Sequence, residues 1–189
     1  MANERLNILK FLIENQEKAY SMRQIALERK INYKTAYLNL KALADEGAVE
    51  LVEHGNTTLC SFNRRWNGTV YAVEHQRRDD LLKNKDFLAL SNRLASLNSQ
   101  FILLLFGSHA KRQSTVHSDI DLLLITDEPK PIETQLNLLP LKLHVTTVRY
   151  DEFIAMLRSR EFTVGSEAVK NNIILFGIED YYRLVNNAR

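Results

Sequence analysis

The sequence predicts a mixed α/β (α+β) protein of two units, and three observations lead to this fold class. Apolar residues at helical spacing and a short hairpin pattern fill residues 1–66. A more polar, helix-rich stretch follows over residues 67–100. From residue 101 onward, continuous apolar runs alternate with polar segments, as buried strands do when helices connect them. We therefore expect an N-terminal domain at 1–66, a connector with the first helix of the next domain at 67–100, and a small α/β domain at 101–189.

The N-terminal domain is predicted to contain three helices and then a hairpin. Apolar residues at helical spacing mark the first helix over residues 4–14, and Ser21 and Asn32 have the side chains expected to cap the second and third. Two β-like runs, at 48–53 and 57–62, flank a short turn. Three helices followed by a hairpin is the element order of a winged helix-turn-helix.

The third helix of this domain has a face that could enter the major groove of duplex DNA. Ala36, Leu40 and Leu43 fall at core spacing on its other side. The residues left for DNA contact are Lys34, Thr35, Tyr37 and Lys41. The formal net charge of +2 predicts no broad basic surface, so the same domain could instead form a homodimer or dock on the second domain.

The C-terminal domain shows three strand-like segments. Residues 101–106 form a continuous apolar run that ends at a glycine, 119–125 form a second strand, and 141–148 a third. Asp151 is expected to cap the next helix. The last segment, 169–182, is expected to be helical.

Two carboxylates stand at the start of the second strand. Side chains alternate along a strand, so Asp119 and Asp121 share one face, roughly 7 Å apart at the backbone. Two carboxylates near an apolar core carry a high desolvation cost unless a cation lies between them. Mg²⁺ prefers carboxylate oxygens and completes its shell with substrate phosphates. The spacing therefore predicts a Mg²⁺ site for a phosphorylated ligand.

A glycine-serine turn lies ten residues before these carboxylates. Gly107 lets a phosphate approach the backbone closely, the Ser108 hydroxyl adds a donor, and Lys111 follows one turn later with a positive charge. A Gly-Ser turn alone, or an Asp-x-Asp alone, also occurs as an ordinary turn or a solvated strand end. Their joint occurrence in a strand–turn–helix–strand order predicts phosphoryl or nucleotidyl transfer.

The two motifs together have a known counterpart. The run Leu105-Phe-Gly-Ser-His-Ala-Lys, followed by Ser118-Asp-Ile-Asp-Leu-Leu, resembles the signature of the DNA polymerase β-type nucleotidyltransferase superfamily, in particular of its minimal nucleotidyltransferases. The resemblance covers about residues 85–182, and the whole chain is similar to archaeal proteins that join a winged helix to such a domain. It implies a mixed sheet with flanking helices. It also implies a nucleoside triphosphate such as ATP at Gly107, Ser108, Lys111 and Ser118, and two Mg²⁺ ions at Asp119 and Asp121.

Two positions depart from the family pattern. Members often carry Arg-Gly where this chain has Lys111-Arg112, so the charge is kept and the glycine is lost. Members usually also carry a third carboxylate on the following strand, whereas residues 141–148 contain no acidic residue. His144 or Thr146 stands in that position, and a histidine could accept a proton near neutral pH. Asp119, Asp121 and His144 are therefore the expected catalytic residues, although a strand histidine is often only a packed or surface residue.

The function expected from these features is Mg²⁺-dependent transfer of a nucleoside monophosphate to an acceptor hydroxyl on a protein, an RNA end or a small molecule. One alternative is a DNA-binding transcriptional regulator whose degenerate transferase domain senses nucleotide. Another is an antitoxin-like subunit with a toxin partner. A single cysteine and the lack of a signal-like or membrane-spanning apolar run predict a cytoplasmic protein without a membrane partner.

Overall fold

A computed structural model describes residues 2–115, 118–159 and 164–188. It divides into two compact units, Met1–Glu74 and His75–Arg189. The division falls within helix α4 (Gly68–Leu82), inside the stretch that the sequence assigns to the connector.

The first unit contains three helices and a small antiparallel sheet. Its elements are α1 (Ala2–Glu14), β1 (Tyr20–Ser21), α2 (Met22–Glu28), α3 (Tyr33–Asp45), β2 (Val49–His54) and β3 (Thr57–Phe62), followed by the start of α4. The strand order is β1-β3-β2. The predicted hairpin is present, because β2 and β3 pair antiparallel from Val49 opposite Phe62 to His54 opposite Thr57.

The helix starts in this unit follow from local hydrogen bonds. Ser21 Oγ accepts a hydrogen bond from the backbone N–H of Gln24 at 3.2 Å, and Asn32 Oδ1 accepts one from the N–H of Thr35 at 2.7 Å. Both caps are as predicted, and each satisfies a donor that the first turn of a helix leaves free. The predicted apolar stripe of α3 is also confirmed, since its members are fully buried: Ala36, Leu40 and Leu43.

The second unit is a mixed sheet with helices around it. Beyond the end of α4, its elements are α5 (Lys85–Ala95), β4 (Ile102–Phe106), α6 (Gly107–Ala110), β5 (Ile120–Ile125), α7 (Pro129–Asn137), β6 (Leu143–Val148), α8 (Tyr150–Arg158), α9 (Val164–Lys170), β7 (Ile173–Phe176) and α10 (Ile178–Asn187). The strand order is β6-β5-β4-β7, with β5 and β6 parallel and the other pairs antiparallel. The fold class is therefore the α+β class with a mixed sheet that the sequence predicts.

One face of this sheet packs on α5 and α7. Alternate residues of the two central strands, such as Leu103 on β4 and Leu122 on β5, join a core with Leu90 of α5 and Ile132 of α7. Because side chains alternate, the intervening residues of β5, including Asp121, belong to the opposite face. The candidate site therefore lies on the face of the sheet away from α5 and α7.

The sequence-based predictions of a helix at residues 173–176 and of a cap at Asp151 are wrong in this unit. Residues 173–176 form strand β7, which pairs antiparallel with β4, and not part of a helix. The run is buried on both sides, and four apolar residues are too short for periodicity to separate a strand from a helix. Asp151 is not the cap of α8, because the helix begins one residue earlier, at Tyr150. The backbone N–H of Arg149 instead donates to Glu152 Oε2 at 2.9 Å.

None of the helices within the described ranges combines the length and the apolar character that a membrane crossing requires.

Candidate active site

Asp121 lies on β5 between the ends of two neighbouring strands. Its register partner on the antiparallel side is Phe106, the last residue of β4, and its partner on the parallel side is His144 of β6. The Asp121 side chain is 27% exposed and is therefore partly open to solvent. The strand order alone therefore places this carboxylate between the turn after β4 and the side chain of His144.

Gly107 follows β4 directly and packs against this carboxylate. Its φ is +69°, in the left-handed region that favours glycine. A Cβ at this position would collide with the side chain of Asp121, whose atoms are its nearest neighbours. The glycine is thus required both by the backbone conformation and by the space that Asp121 occupies. The turn and the carboxylate, predicted separately from the sequence, are brought together here.

Ser108 sits in α6, which is a single turn. Within the described ranges its hydroxyl has no hydrogen-bond partner, and the side chain is half-buried. The neighbouring His109 holds this turn in place, because its ring lies edge-on to Phe87 of α5 at 5.7 Å between centroids. Its Nε2 also lies 3.4 Å from the backbone oxygen of Ser118. Sequence reasoning did not single out His109, since its role depends on a helix about twenty residues away.

Asp119 precedes β5, which begins at Ile120 and not at Asp119 as predicted. The backbone N–H of Ile120 donates to the carbonyl of Lys142 at 2.9 Å, and this bond marks the start of pairing with the β6 segment. Asp119 is exposed, and its carboxylate has no hydrogen bond or ion pair to any residue that the structure describes.

Asp119 and Asp121 would hold a divalent ion only if a substrate supplied further oxygen ligands. Among residues 2–115, 118–159 and 164–188, no group of three or more histidine, cysteine or acidic side chains is arranged to hold a metal. Two carboxylates, Asp119 and Asp121, are present. Mg²⁺ is commonly held by one or two carboxylates plus substrate phosphates, so the pair is sufficient when a nucleotide supplies the remaining oxygens.

His144 and Thr146 were the two alternatives for the position of the third carboxylate. Nδ1 of His144 lies 3.2 Å from Oδ1 of Asp121, whereas Thr146 is the register partner of Leu123, one step further into the sheet. The His144 side chain is 69% exposed and is accessible to a substrate. Of the two residues, His144 is therefore the one beside Asp121.

The other two predicted nucleotide contacts, Lys111 and Ser118, each interact with another residue of the protein. Lys111 Nζ lies 3.2 Å from Oε1 of Glu167 on α9, with both side chains more than one third exposed. Ser118 Oγ accepts a hydrogen bond from the backbone N–H of Thr115 at 2.9 Å, which closes the end of the loop before Asp119. Glu167 was not predicted as a site residue, because 56 residues separate it from Lys111.

The predicted DNA-binding residues lie on α3 in the first unit. Lys34, Tyr37 and Lys41 are exposed, and Thr35 is half-buried. The ring of Tyr37 stacks on Tyr33 with centroids 6.4 Å apart, and Lys41 Nζ lies 6.0 Å from the Tyr37 centroid. This helix therefore has an exposed surface of aromatic and cationic groups.

Trp66 contacts another aromatic residue of the first unit. It meets Tyr71 edge-on at 5.2 Å between ring centroids, also within the first unit.

Comparison with solved structures adds little. The crystal structure of Pseudomonas aeruginosa HmgR is similar over 78% of this chain and 49% of that chain, at 15% identity and a TM-score of 0.30. The chain thus spans about half the length of that structure, and a likeness this low supports no argument. No curated protein matches the chain.

Residues 80–181 match the family described as polymerase beta, nucleotidyltransferase, and this is more than half of the 189-residue chain. The matched range contains every residue of the site described above, from Gly107 to Glu167. The chain therefore belongs to the polymerase beta nucleotidyltransferase family, whose chemistry is the transfer of nucleotidyl groups.

Proposed function

We propose that this protein is a Mg²⁺-dependent nucleotidyltransferase, which moves a nucleoside monophosphate from a nucleoside triphosphate to an acceptor hydroxyl. One observation carries the proposal. Asp121 contacts Gly107 of the glycine-serine turn on one side and His144 on the other, all within the range that matches the family. A carboxylate, a phosphate-accessible turn and a proton acceptor are then within reach of one substrate.

Asp119 and Asp121 are the proposed metal ligands. Mg²⁺, as two ions by the family resemblance, would neutralise phosphate charge and stabilise the entering and leaving oxygens. Asp119 is exposed, whereas Asp121 is packed against Gly107, so the two proposed ligands have different surroundings.

Gly107 and Ser108 are the proposed contacts of the triphosphate. The space that a Cβ of Gly107 would fill is taken by Asp121, so the proposed phosphate contacts are the main chain of the turn and the Ser108 hydroxyl, which has no hydrogen-bond partner among the described residues. Lys111 would add positive charge after leaving Glu167, and Ser118 would contact the nucleotide after leaving Thr115.

His144 is the proposed acceptor of the substrate proton. In the tautomer whose Nδ1 carries the proton, Nδ1 donates to Asp121 Oδ1, and the exposed Nε2 is left as an acceptor. The acceptor hydroxyl oxygen then bonds to the α-phosphorus, the bond to the bridging oxygen breaks, and pyrophosphate leaves. The hydroxyl proton passes to Nε2 of His144.

The test is transfer of label from α-labelled nucleoside triphosphates, each supplied with Mg²⁺ and a cell extract. The wild-type protein should label a protein, RNA or small-molecule acceptor, and the Asp119→Asn/Asp121→Asn variant should label none. The variant keeps side-chain size and removes the charge, so its unfolding should stay close to that of the wild type. Labelling that is equal in both proteins, or absent for every nucleotide, would overturn the proposal.

A second candidate is a DNA-binding regulator whose transferase domain senses nucleotide. It is favoured by the exposed Tyr37 and Lys41 on α3, and by the absence of an acidic side chain at position 144. In this proposal the first unit acts as a winged helix-turn-helix with α3 in the major groove. Duplex-DNA binding that falls steeply with salt, without any nucleotidyl transfer, would favour the regulator. The antitoxin-like subunit stays a prediction, which co-purification with a toxin partner would test.

A further inference from the structure

Lys111 is tied to an acidic residue from a distant part of the chain. Its ammonium lies 3.2 Å from the carboxylate of Glu167, and the two side chains are 39% and 37% exposed. Lys111 belongs to the turn that follows the phosphate-binding residues, since its backbone N–H donates to the carbonyl of Gly107 at 3.2 Å. The acidic partner therefore lies near the place where the proposed function puts a triphosphate.

We propose that Glu167 competes with the nucleotide phosphates for Lys111 and so lowers the affinity of the site for nucleotide. The inference rests on the proposed function, because it takes Gly107 and Ser108 as the phosphate contacts. Glu167 is then a positioning residue that acts through Lys111. When a triphosphate binds, the ammonium turns from the carboxylate to the phosphates.

Two physical effects act in the same direction. The Glu167 carboxylate accepts a hydrogen bond from Lys111 that a phosphate oxygen would otherwise accept. The ion pair must therefore loosen before Lys111 can bind the phosphate. The Glu167 charge also repels a phosphate held nearby, and this repulsion grows with the charge of the ligand. Removing the charge should therefore strengthen triphosphate binding more than monophosphate binding. Because both side chains are partly solvated, the gain should be about two- to fivefold.

A matched control variant distinguishes the effect of the Lys111–Glu167 ion pair from the general effect of removing one negative charge. Glu179 on α10 also forms an ion pair, with Arg183 at 2.7 Å, and its side chain is 51% exposed. Glu179→Gln removes the same charge from the same unit without touching Lys111. Glu167→Gln, Glu179→Gln, Lys111→Ala and the Lys111→Ala/Glu167→Gln double variant form the set to compare with wild type.

The experiment is calorimetric titration of each full-length protein with ATP, GTP, CTP and UTP in the presence of Mg²⁺, and with the matching monophosphates. Glu167→Gln should bind its preferred triphosphate about two- to fivefold more tightly than wild type, with a smaller gain for the monophosphate. Glu179→Gln should be unchanged, and the gain should shrink in the Lys111→Ala background, where only the direct repulsion between Glu167 and the phosphates is left. Thermal unfolding of each variant confirms that the fold is intact.

Two different failures are distinguishable. If wild type binds a triphosphate and Glu167→Gln binds it equally or more weakly, the competition is wrong and the proposed function stands. A gain that is equally large without Lys111 also overturns the inference. If neither wild type nor Glu167→Gln binds any triphosphate, the proposed function and this inference fail together.

Discussion

Nδ1 of His144 lies 3.2 Å from Oδ1 of Asp121, because β5 and β6 run parallel with these two residues as register partners. The contact joins the Asp-x-Asp motif to the strand on which the family pattern has a third carboxylate. The imidazole thus occupies the position beside Asp121 that the sequence left open between His144 and Thr146.

The first prediction concerns the replacement of this histidine. If His144 takes the substrate proton, His144→Ala should lower the transfer rate by about 10²–10⁴-fold, the usual contribution of a general base. His144→Asp should retain much of the rate, because a carboxylate restores the family pattern. Nucleotide affinity should change little, and the measurement is single-turnover transfer of labelled nucleotide.

Thr146→Ala is the control for this prediction. Thr146 lies on the same strand and the same sheet face, one step further from Asp121. Removing the hydroxyl of Thr146 by this substitution should leave the rate of nucleotidyl transfer unchanged. A loss equal to that of His144→Ala would show that the strand matters for packing and that the histidine has no special role.

The second prediction concerns Gly107. Gly107→Ala would place a Cβ against the carboxylate of Asp121 and force an L-residue to a φ of +69°. We expect a loss of about 1–3 kcal/mol of unfolding free energy from the strain, together with weaker triphosphate binding. Denaturant titration and calorimetry would measure the two effects.

Gly55→Ala separates backbone strain from the collision. Gly55 also has a positive φ, +59°, but a Cβ there meets nothing within 4 Å. Gly55→Ala should therefore lower the unfolding free energy less than Gly107→Ala does, and it should leave nucleotide binding intact. Equal losses in the two variants would mean that the contact with Asp121 has no energetic consequence.

The third prediction concerns the buried thiol of Cys60 on β3. Burial raises the pKa of this thiol from 9.0 to about 11, and the side chain is fully shielded from solvent. The folded state therefore keeps the proton that the unfolded state loses. The resulting stabilisation is complete below pH 9 and is lost as the pH rises from 9 to 11.

Between pH 9 and 11, the unfolding free energy of the wild-type protein should fall more than that of Cys60→Ala, by on the order of 2 kcal/mol. The measurement is denaturant unfolding across this range, followed by a signal from the first unit. Lysine and tyrosine titrations occur in both proteins and cancel in the difference. Parallel curves would contradict the assignment of the effect to this thiol.

The fourth prediction tests α3 as a DNA contact. If Lys34 and Lys41 meet phosphates, the double variant Lys34→Ala/Lys41→Ala should weaken duplex binding at low salt and reduce the logarithmic salt slope by about 2. Fluorescence anisotropy with a labelled duplex would measure both. Lys85→Ala/Lys130→Ala removes two exposed charges from the second unit and should have no effect. Equal weakening in the two variants, or no binding by wild type, would exclude α3 as the contact.

Features that depend on neighbours along the chain were predictable from the sequence. The caps at Ser21 and Asn32 each use a side chain and a backbone N–H three residues later. The two central strands of the second unit follow from their continuous apolar runs, since both of their faces are covered. β7 was missed, because its four apolar residues adopt a strand only through pairing with β4.

The sequence by itself determined the class of the second unit and the chemistry of its motif, because Gly107-Ser108 and Asp119-x-Asp121 lie close together in the chain. Only the tertiary structure decided which side chains surround that motif. The contact of Asp121 with His144 spans 23 residues, and that of Lys111 with Glu167 spans 56. The first depends on strand register and the second on the placement of α9, and both are set by the packing of the whole sheet, which no local pattern specifies.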